Sequence, residues 1–179
     1  MSKKVLIVSA SPRKCGNSDI LCDRFLAGAQ EAGHQAEKIF LRDYKINYCM
    51  GCGLCNNSHK CLQNDDMAPL LDKMVAADVI VFATPVYFYS CDAQLKTFID
   101  RCLPRYMEIS NKEFYFILTA ADKDKKMLRR TLEALRGFTE DCLDGTQEKA
   151  VIYGTGAWQT GDVKNLPAYQ EAYEAGKNC

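Results

Sequence analysis

The sequence has no surplus of charge of either sign: 23 Lys and Arg stand against 23 Asp and Glu in 179 residues. Nothing in that balance neutralises a nucleic-acid backbone or holds an anionic membrane, so neither is an expected partner. No apolar run approaches the roughly 18 residues of a membrane span. Met1-Ser2-Lys3-Lys4 is followed by the short apolar run Val5 to Val8, too brief for a secretory signal, and a cytoplasmic location is expected. Histidine is scarce, with only His34 and His59, which argues against a histidine base. No Ser-His-Asp arrangement and no carboxylate pair stands out. No repeat or low-complexity linker divides the chain, and at 47% hydrophobic residues it can fill one core, so 1–179 is read as a single domain.

Cysteine, in contrast, is plentiful. Six of the ten are scattered (Cys15, Cys22, Cys91, Cys102, Cys142, Cys179), and four crowd into the stretch Cys49, Cys52, Cys55, Cys61. Cysteines so close in sequence make a poor long-range disulfide framework, and a reduced cluster for metal or redox work is the better reading.

Continuous apolar runs at Val5–Val8, Val79–Ala83, Phe114–Leu118 and Ala150–Tyr153 have strand length and strand composition, and predict strands buried on both faces. Ala36–Leu41, with Glu37 and Lys38 inside it, predicts a solvated edge strand. Helical spacing marks Met67, Leu70, Leu71, Met74, Val75 and then Leu95, Phe98, Ile99, Cys102. Further helices are predicted over Ile20–Ala32, Lys126–Leu143 and Pro167–Lys177. Alternation of this kind means a parallel sheet covered on both sides, and five strands predict the doubly wound order 2-1-3-4-5. Arg42–Asp66 is too long for an ordinary connection and is read as an insertion carrying the four clustered cysteines.

Ligands of such sheets bind beyond the carboxyl ends of the strands. The first strand leads into Ser9-Ala10-Ser11-Pro12-Arg13-Lys14-Cys15-Gly16-Asn17-Ser18, which opens a helix. Ser9, Ser11 and Ser18 offer hydroxyls, Asn17 an amide and Arg13 a guanidinium fork, while Gly16 permits a tight approach to the helix N-terminus. That set suits a phosphate dianion. The loop lacks the Gly-Lys-Ser/Thr of a triphosphatase, the three spaced glycines of a dinucleotide fold, and the arginine that closes a small phosphatase loop. An ordinary Ser/Asn turn capping a helix is the competing reading. The third strand ends in Thr84-Pro85-Val86-Tyr87-Phe88-Tyr89-Ser90, where aromatic rings and stiffened backbone suit a planar heterocycle; packing under a loop or at a subunit interface competes. Phosphate and flat ring on one ligand describe FMN. Asp122, just past the fourth strand, is a candidate for the flavin rim, and a solvated turn is its alternative.

Ser11-Pro12-Arg13-Lys14 with Gly16-Asn17-Ser18, the cysteine run with Asp65-Asp66-Met67, Ala77-Asp78, Ala83-Thr84-Pro85-Val86-Tyr87-Phe88 and Gln94-Leu95-Lys96-Thr97-Phe98-Ile99-Asp100-Arg101 cover about the first 105 residues. In these motifs the chain resembles the flavodoxin-like NADPH-dependent FMN reductase family, and within it the iron-sulfur flavoproteins. The resemblance implies a flavodoxin-like three-layer α/β sandwich, a flavin phosphate at the first loop and an isoalloxazine at Pro85–Phe88. Ser9-Ala10 departs from the glycine that commonly precedes Ser-Pro-Arg in that family. The run Cys49-x2-Cys52-x2-Cys55-x5-Cys61 brings four thiolates within reach of one centre, with Gly51 and Gly53 letting the backbone wrap. Its spacing is similar to the iron-sulfur flavoprotein motif and implies a [4Fe-4S] cluster. Zinc and a metal-free thiol loop stay open as alternatives, and His59 is read as an exposed loop residue.

The expected function is electron transfer through FMN, linking the cluster to the flavin. A cluster-free NAD(P)H-dependent FMN or quinone reductase is the alternative, and a non-enzymatic flavin- or zinc-binding module a third reading. NAD(P)H or ferredoxin is the expected donor, and a quinone or flavin the acceptor. The resemblance also implies a homodimer or homotetramer.

Overall fold

The computed structural model describes all 179 residues. Its strands are β1 (Lys4–Ser9), β2 (Gln35–Phe40), β3 (Val79–Tyr87), β4 (Ser90–Cys91), β5 (Glu113–Ala120) and β6 (Gln147–Thr155). Its helices are α1 (Asn17–Glu31), α2 (Cys55–Ser58), α3 (Met67–Ala76), α4 (Ala93–Asp100), α5 (Arg129–Thr139) and α6 (Pro167–Lys177). Five strands pair in parallel in the order β2-β1-β3-β5-β6, and two-residue β4 folds back antiparallel on β3. Counted over the parallel strands alone this is the expected order 2-1-3-4-5. The flavodoxin-like sandwich is therefore present, with one short strand that the apolar runs did not announce. No helix is long and apolar enough to cross a membrane.

Alternation within the apolar runs builds two cores. Leu6, Val8, Ile80, Phe82, Phe114 and Phe116 face α3, α4 and α5 on one side of the sheet. Val5, Ile7, Val79, Val81, Tyr115 and Ile117 face α1 and α6 on the other. Because both faces are covered, the strands read as unbroken hydrophobic stretches. Phe82 meets Phe114 and Phe98 edge-on at 5.6 and 6.3 Å, contacts worth about 0.5–1.5 kcal/mol each beyond burial. The edge strand β2 is exposed along its first half, as its charges require. Three helices differ from their predicted spans, and α1, predicted over Ile20–Ala32, starts three residues earlier at Asn17 and ends at Glu31. The segment predicted over Lys126–Leu143 divides into a 3-10 turn at Lys125–Leu128 and the helix α5, because the Asp124 carboxylate accepts the Lys126 N–H at 2.9 Å and starts a tighter turn. Cys102 lies past the end of α4, where Pro104 bars Leu103 from continuing the helix.

Helices α1 and α6 touch through glycine. A Cβ on Gly28 would lie 2.1 Å from the Tyr173 carbonyl oxygen, and one on Gly176 would lie 2.1 Å from that of Phe25. The neighbouring atoms are backbone and have no room to yield. Gly28→Ala is expected to force the helices apart and lower stability by about 1–3 kcal/mol or more, measured by thermal or urea unfolding.

At the start of α4, buried Asp92 accepts the Leu95 N–H at 3.1 Å and donates its own N–H to the Thr84 hydroxyl at 3.0 Å. Its second carboxylate oxygen has no partner. Burial pushes its pKa up to about 7, with the bonds from Leu95 and Thr84 pulling the other way. The folded protein thus keeps a proton that the unfolded chain releases from about pH 4 upward. This group's contribution to stability is full below that pH and is lost as pH rises through about 7. Asp92→Asn keeps the cap and is expected to flatten unfolding free energy over that window, read from urea titrations at a series of pH values.

Candidate functional site

The carboxyl ends of β1, β3, β5 and β6 border one cleft of about 130 Å³. Ser11, Arg13, Gly16, Asn17 and Ser18 form one wall, and Pro85, Val86 and Tyr87 form another. The first loop is self-braced. The Arg13 N–H donates to Ser11 Oγ at 3.2 Å, and the Gly16 N–H donates to the Arg13 carbonyl at 3.0 Å. A Cβ on Gly16 would stand 2.9 Å from that carbonyl, so only glycine allows this closure. Asp19 accepts the Cys15 N–H at 3.0 Å and the Ser9 hydroxyl at 3.1 Å, and pairs with Lys38 at 2.7 Å. Burial alone would lower the Lys38 pKa, but its bonds to Asp19 and Asp23 outweigh that and raise it, keeping the ammonium charged. No side chain caps α1, so its first-turn amides open into the cleft. The Arg13 guanidinium has no hydrogen-bond or ion-pair partner in the protein.

Four of the expected residues sit elsewhere. Ser9 is sealed beneath the loop by its bond to Asp19. Thr84 is also fully buried and donates to the Pro85 carbonyl at 2.8 Å. Asp122 lies outside the cleft lining and accepts the Asp124 N–H at 2.8 Å, as a solvated turn residue does. Phe88 is fully exposed at the tip of the β3–β4 hairpin. Asn17 does line the cleft, but its side chain braces the connection after β6: its amide donates to the Gln159 carbonyl at 2.9 Å and its oxygen accepts the Gly161 N–H at 2.9 Å. Ser18 and Thr119 share a hydroxyl contact of 2.6 Å.

The remaining lining comes from residues the sequence did not single out: Thr119, Ala120 and Ala121 after β5, and Ala157, Trp158 and Thr160 after β6. Trp158 is the sole tryptophan and stands largely exposed among Gly154, Gly156 and Gly161. A lone exposed tryptophan in a glycine-rich turn beyond a strand is the signal available in sequence.

The cysteine loop leaves the same edge of the sheet after β2. Its two limbs are tied together: Lys45 and Asn47 donate their N–H groups to Asp66 at 2.6 Å and Asp65 at 3.0 Å, and the Asp66 N–H returns to the Lys45 carbonyl at 3.0 Å. Arg101 at the end of α4 locks both limbs, forming a fork on Asp65 at 2.6 and 3.0 Å and a bond to the Asn47 carbonyl at 2.7 Å. The two side chains are only 2% and 1% exposed. Burial would raise the Asp65 pKa, but Arg101 and the Asn47 and Met67 N–H groups reverse the effect and hold it below the usual carboxylate range. Beyond the clamp, Cys49, Cys55 and Cys61 are half-buried, Cys52 is exposed, and all four thiols are free. Gly51 and Gly53 take left-handed φ of 63° and 70°, which bends the loop as expected. The thiols as placed form no group able to hold a metal ion. Burial raises the Cys55 pKa, and Cys61, Cys52 and Cys49 add smaller contributions in the same direction.

Removing one partner of the clamp strands the other charge in a dry site. Asp65→Asn is expected to cost about 3–5 kcal/mol in unfolding experiments and to speed proteolysis between residues 45 and 66.

The family described as NADPH-dependent FMN reductase matches residues 3–140. An iron-sulfur flavoprotein of Archaeoglobus fulgidus is 42% identical over 101 residues, covering 56% of this chain and 46% of the relative. One of Methanocaldococcus jannaschii is also 42% identical over 101 residues, covering 56% and 52%. The chain thus matches about half the length of these relatives. Among solved structures, an NAD(P)H:quinone oxidoreductase of Methanothermobacter marburgensis superposes with a TM-score of 0.75 at 20% identity, covering 99% of this chain and 97% of that one. An FMN-dependent NADH-azoreductase of Bacillus anthracis, solved with FMN, gives 0.74 at 18% identity with 99% of both chains covered. These two share the fold, and the family match spans most of the chain: the protein belongs to the NADPH-dependent FMN reductase family.

Proposed function

We propose that the chain is an FMN-dependent oxidoreductase with the flavin phosphate seated in the cleft between the first loop and the β6 turn. One observation carries the reading: uncapped amides at the start of α1 open beside an unpaired Arg13 and the hydroxyls of Ser11 and Ser18. Together they offer a dianion helix-terminus donors and a charged fork, with no carboxylate facing it. At about 130 Å³ the cleft is smaller than the ~300–1,000 Å³ of a pocket that engulfs a whole ligand. It suits the phosphate end. Pro85, Val86 and Tyr87 supply backbone and ring surface for the isoalloxazine, and Trp158 borders it from the open side.

Bound FMN supplies one- and two-electron redox chemistry. The polypeptide then anchors the phosphate, presents one ring face and shields the other. The lining holds no acid–base pair, so proton handling falls to backbone amides and solvent. NAD(P)H as donor and a quinone or flavin as acceptor follow from the family. The exposed rings of Phe88, Tyr89 and Trp158 support association with a second copy of the chain.

The finer reading adds a [4Fe-4S] cluster on Cys49, Cys52, Cys55 and Cys61. The number of thiols and the names of the relatives support it, whereas the thiols do not converge as placed. No electron step is therefore drawn through iron, and the cluster-free NAD(P)H-dependent reductase accounts for the cleft equally well.

An absorption spectrum of anaerobically purified protein, with iron and acid-labile sulfide assayed on the same sample, tests both levels. Flavin bands are expected, and Arg13→Gln is expected to weaken FMN binding about tenfold to a hundredfold in a fluorescence titration. About four irons and four sulfides per chain establish the cluster. Flavin without iron establishes the cluster-free reductase. A chain that takes up no FMN on reconstitution overturns the proposal.

A further inference from the structure

The connection between β5 and α5 carries cations that the fold leaves without counterions. Lys125, Lys126, Arg129 and Arg130 line a groove of about 940 Å³ with Tyr89 and Tyr153, and none of the four forms an ion pair. The nearby carboxylates are engaged. Asp122 and Asp124 accept backbone N–H groups of this segment at 2.8 and 2.9 Å, and Glu133 holds Arg136 at 2.9 Å. In a chain of zero net charge, such a concentration marks one site for an anion.

The groove also presents aromatic surface. The Arg130 guanidinium lies 6.0 Å from the Tyr89 ring centroid, and Lys125 Nζ lies 5.8 Å from that of Tyr153. The same two connections supply residues to the groove and to the cleft. Tyr87 lines the cleft and Tyr89 the groove, while Ala121 lines the cleft and Lys125 the groove. A ligand that begins over the cleft and runs outward along the sheet edge enters this groove next.

We propose that the groove binds the 2′-phosphorylated adenosine diphosphate end of NADPH, leaving the nicotinamide end to reach the cleft. This rests on the flavin reading above. The ligand's three phosphates carry about four negative charges against the four free cations, arginine forks suit a phosphomonoester, and an adenine stacks on tyrosine or guanidinium planes. Groove shape favours a small anion over the flat acidic face of a redox protein.

The test is calorimetric titration of the full chain, with and without FMN, using adenosine 2′,5′-bisphosphate as the probe and 5′-AMP as the comparison. The bisphosphate is expected to bind at least about tenfold more tightly than 5′-AMP, and the affinity to fall with added salt. Arg129→Gln combined with Arg130→Gln, and separately Lys125→Gln combined with Lys126→Gln, are each expected to weaken it about tenfold or more while FMN affinity stays unchanged. Equal affinity for the two probes, or unchanged affinity in both double variants, overturns the assignment. So does a flat bisphosphate titration from a chain whose salt-sensitive binding of an acidic ferredoxin is lost in the double variants, which makes the groove a protein-docking surface. The titration needs no flavin: a chain that binds FMN but not the bisphosphate refutes the groove alone, and the reverse refutes the flavin reading alone.

Discussion

Parallel pairing forces the five long strands of this sheet to end at the same edge, and the arrangement of the candidate site follows from that constraint. A parallel strand cannot return by a hairpin, so each connection must leave at the carboxyl edge and cross back as a helix. Five such exits occur here. They carry the Ser-Arg-Gly loop after β1, the cysteine loop after β2, the aromatic hairpin after β3, the cationic segment after β5 and the Trp158 turn after β6. Segments separated by up to about 150 residues become neighbours because the two cores hold the strands in register. The helices bury the sheet and leave its edge to the loops, where chemistry is carried without disturbing packing.

Charge is sorted along that edge. Where a carboxylate lies near the candidate site it is occupied: Asp19 by Lys38 and two loop donors, Asp65 by Arg101. Both pairs are buried or nearly so, which makes each costly to break and weak as a source of net stability. Their effect is geometric. The first fixes the loop that leads into α1, and the second fastens the two limbs of the cysteine loop to the end of α4. With the acids engaged, Arg13 and the cations from Lys125 to Arg130 have no intramolecular counterion, and a chain that is neutral overall presents a positive rim beside its cleft.

Most of this architecture was legible in the sequence because two-sided burial writes itself as unbroken apolar runs. The parallel strands and their order are where periodicity and length placed them. The site was legible by segment more than by side chain. Both marked loops meet at the cleft, yet Ser9, chosen for its hydroxyl, and Thr84, chosen with the aromatic segment, turn inward to brace Asp19 and Asp92, and Asn17 braces the turn after β6. Composition reports that a loop is rich in donors. It does not report which donors face the cleft, since that depends on strand pleat and on partners far along the chain. Thr119 and Thr160 went unmarked for the same reason: no local pattern accompanies them, and only the sheet brings them to α1, whereas the lone Trp158 among glycines was a signal left unread.

The β3–β4 hairpin shows how a local rule yields to a site. Val86 pairs with Cys91 and Tyr87 with Ser90, leaving Phe88 and Tyr89 as a two-residue turn with φ of 49° and 62°. That geometry favours Asn-Gly, and bulky side chains there cost about 1–3 kcal/mol each. Neither ring recovers the cost by packing, for both are exposed. A fold selected for stability alone gains nothing from aromatic residues at these two positions. The hairpin's neighbours bear on one of them: Tyr89 joins the groove beside Arg130, while Phe88 stands free in solvent next in the chain to the cleft residue Tyr87. The strained turn therefore holds two rings out at the carboxyl edge of the sheet, one of them beside the Arg130 guanidinium, where they are open to a partner from outside the chain.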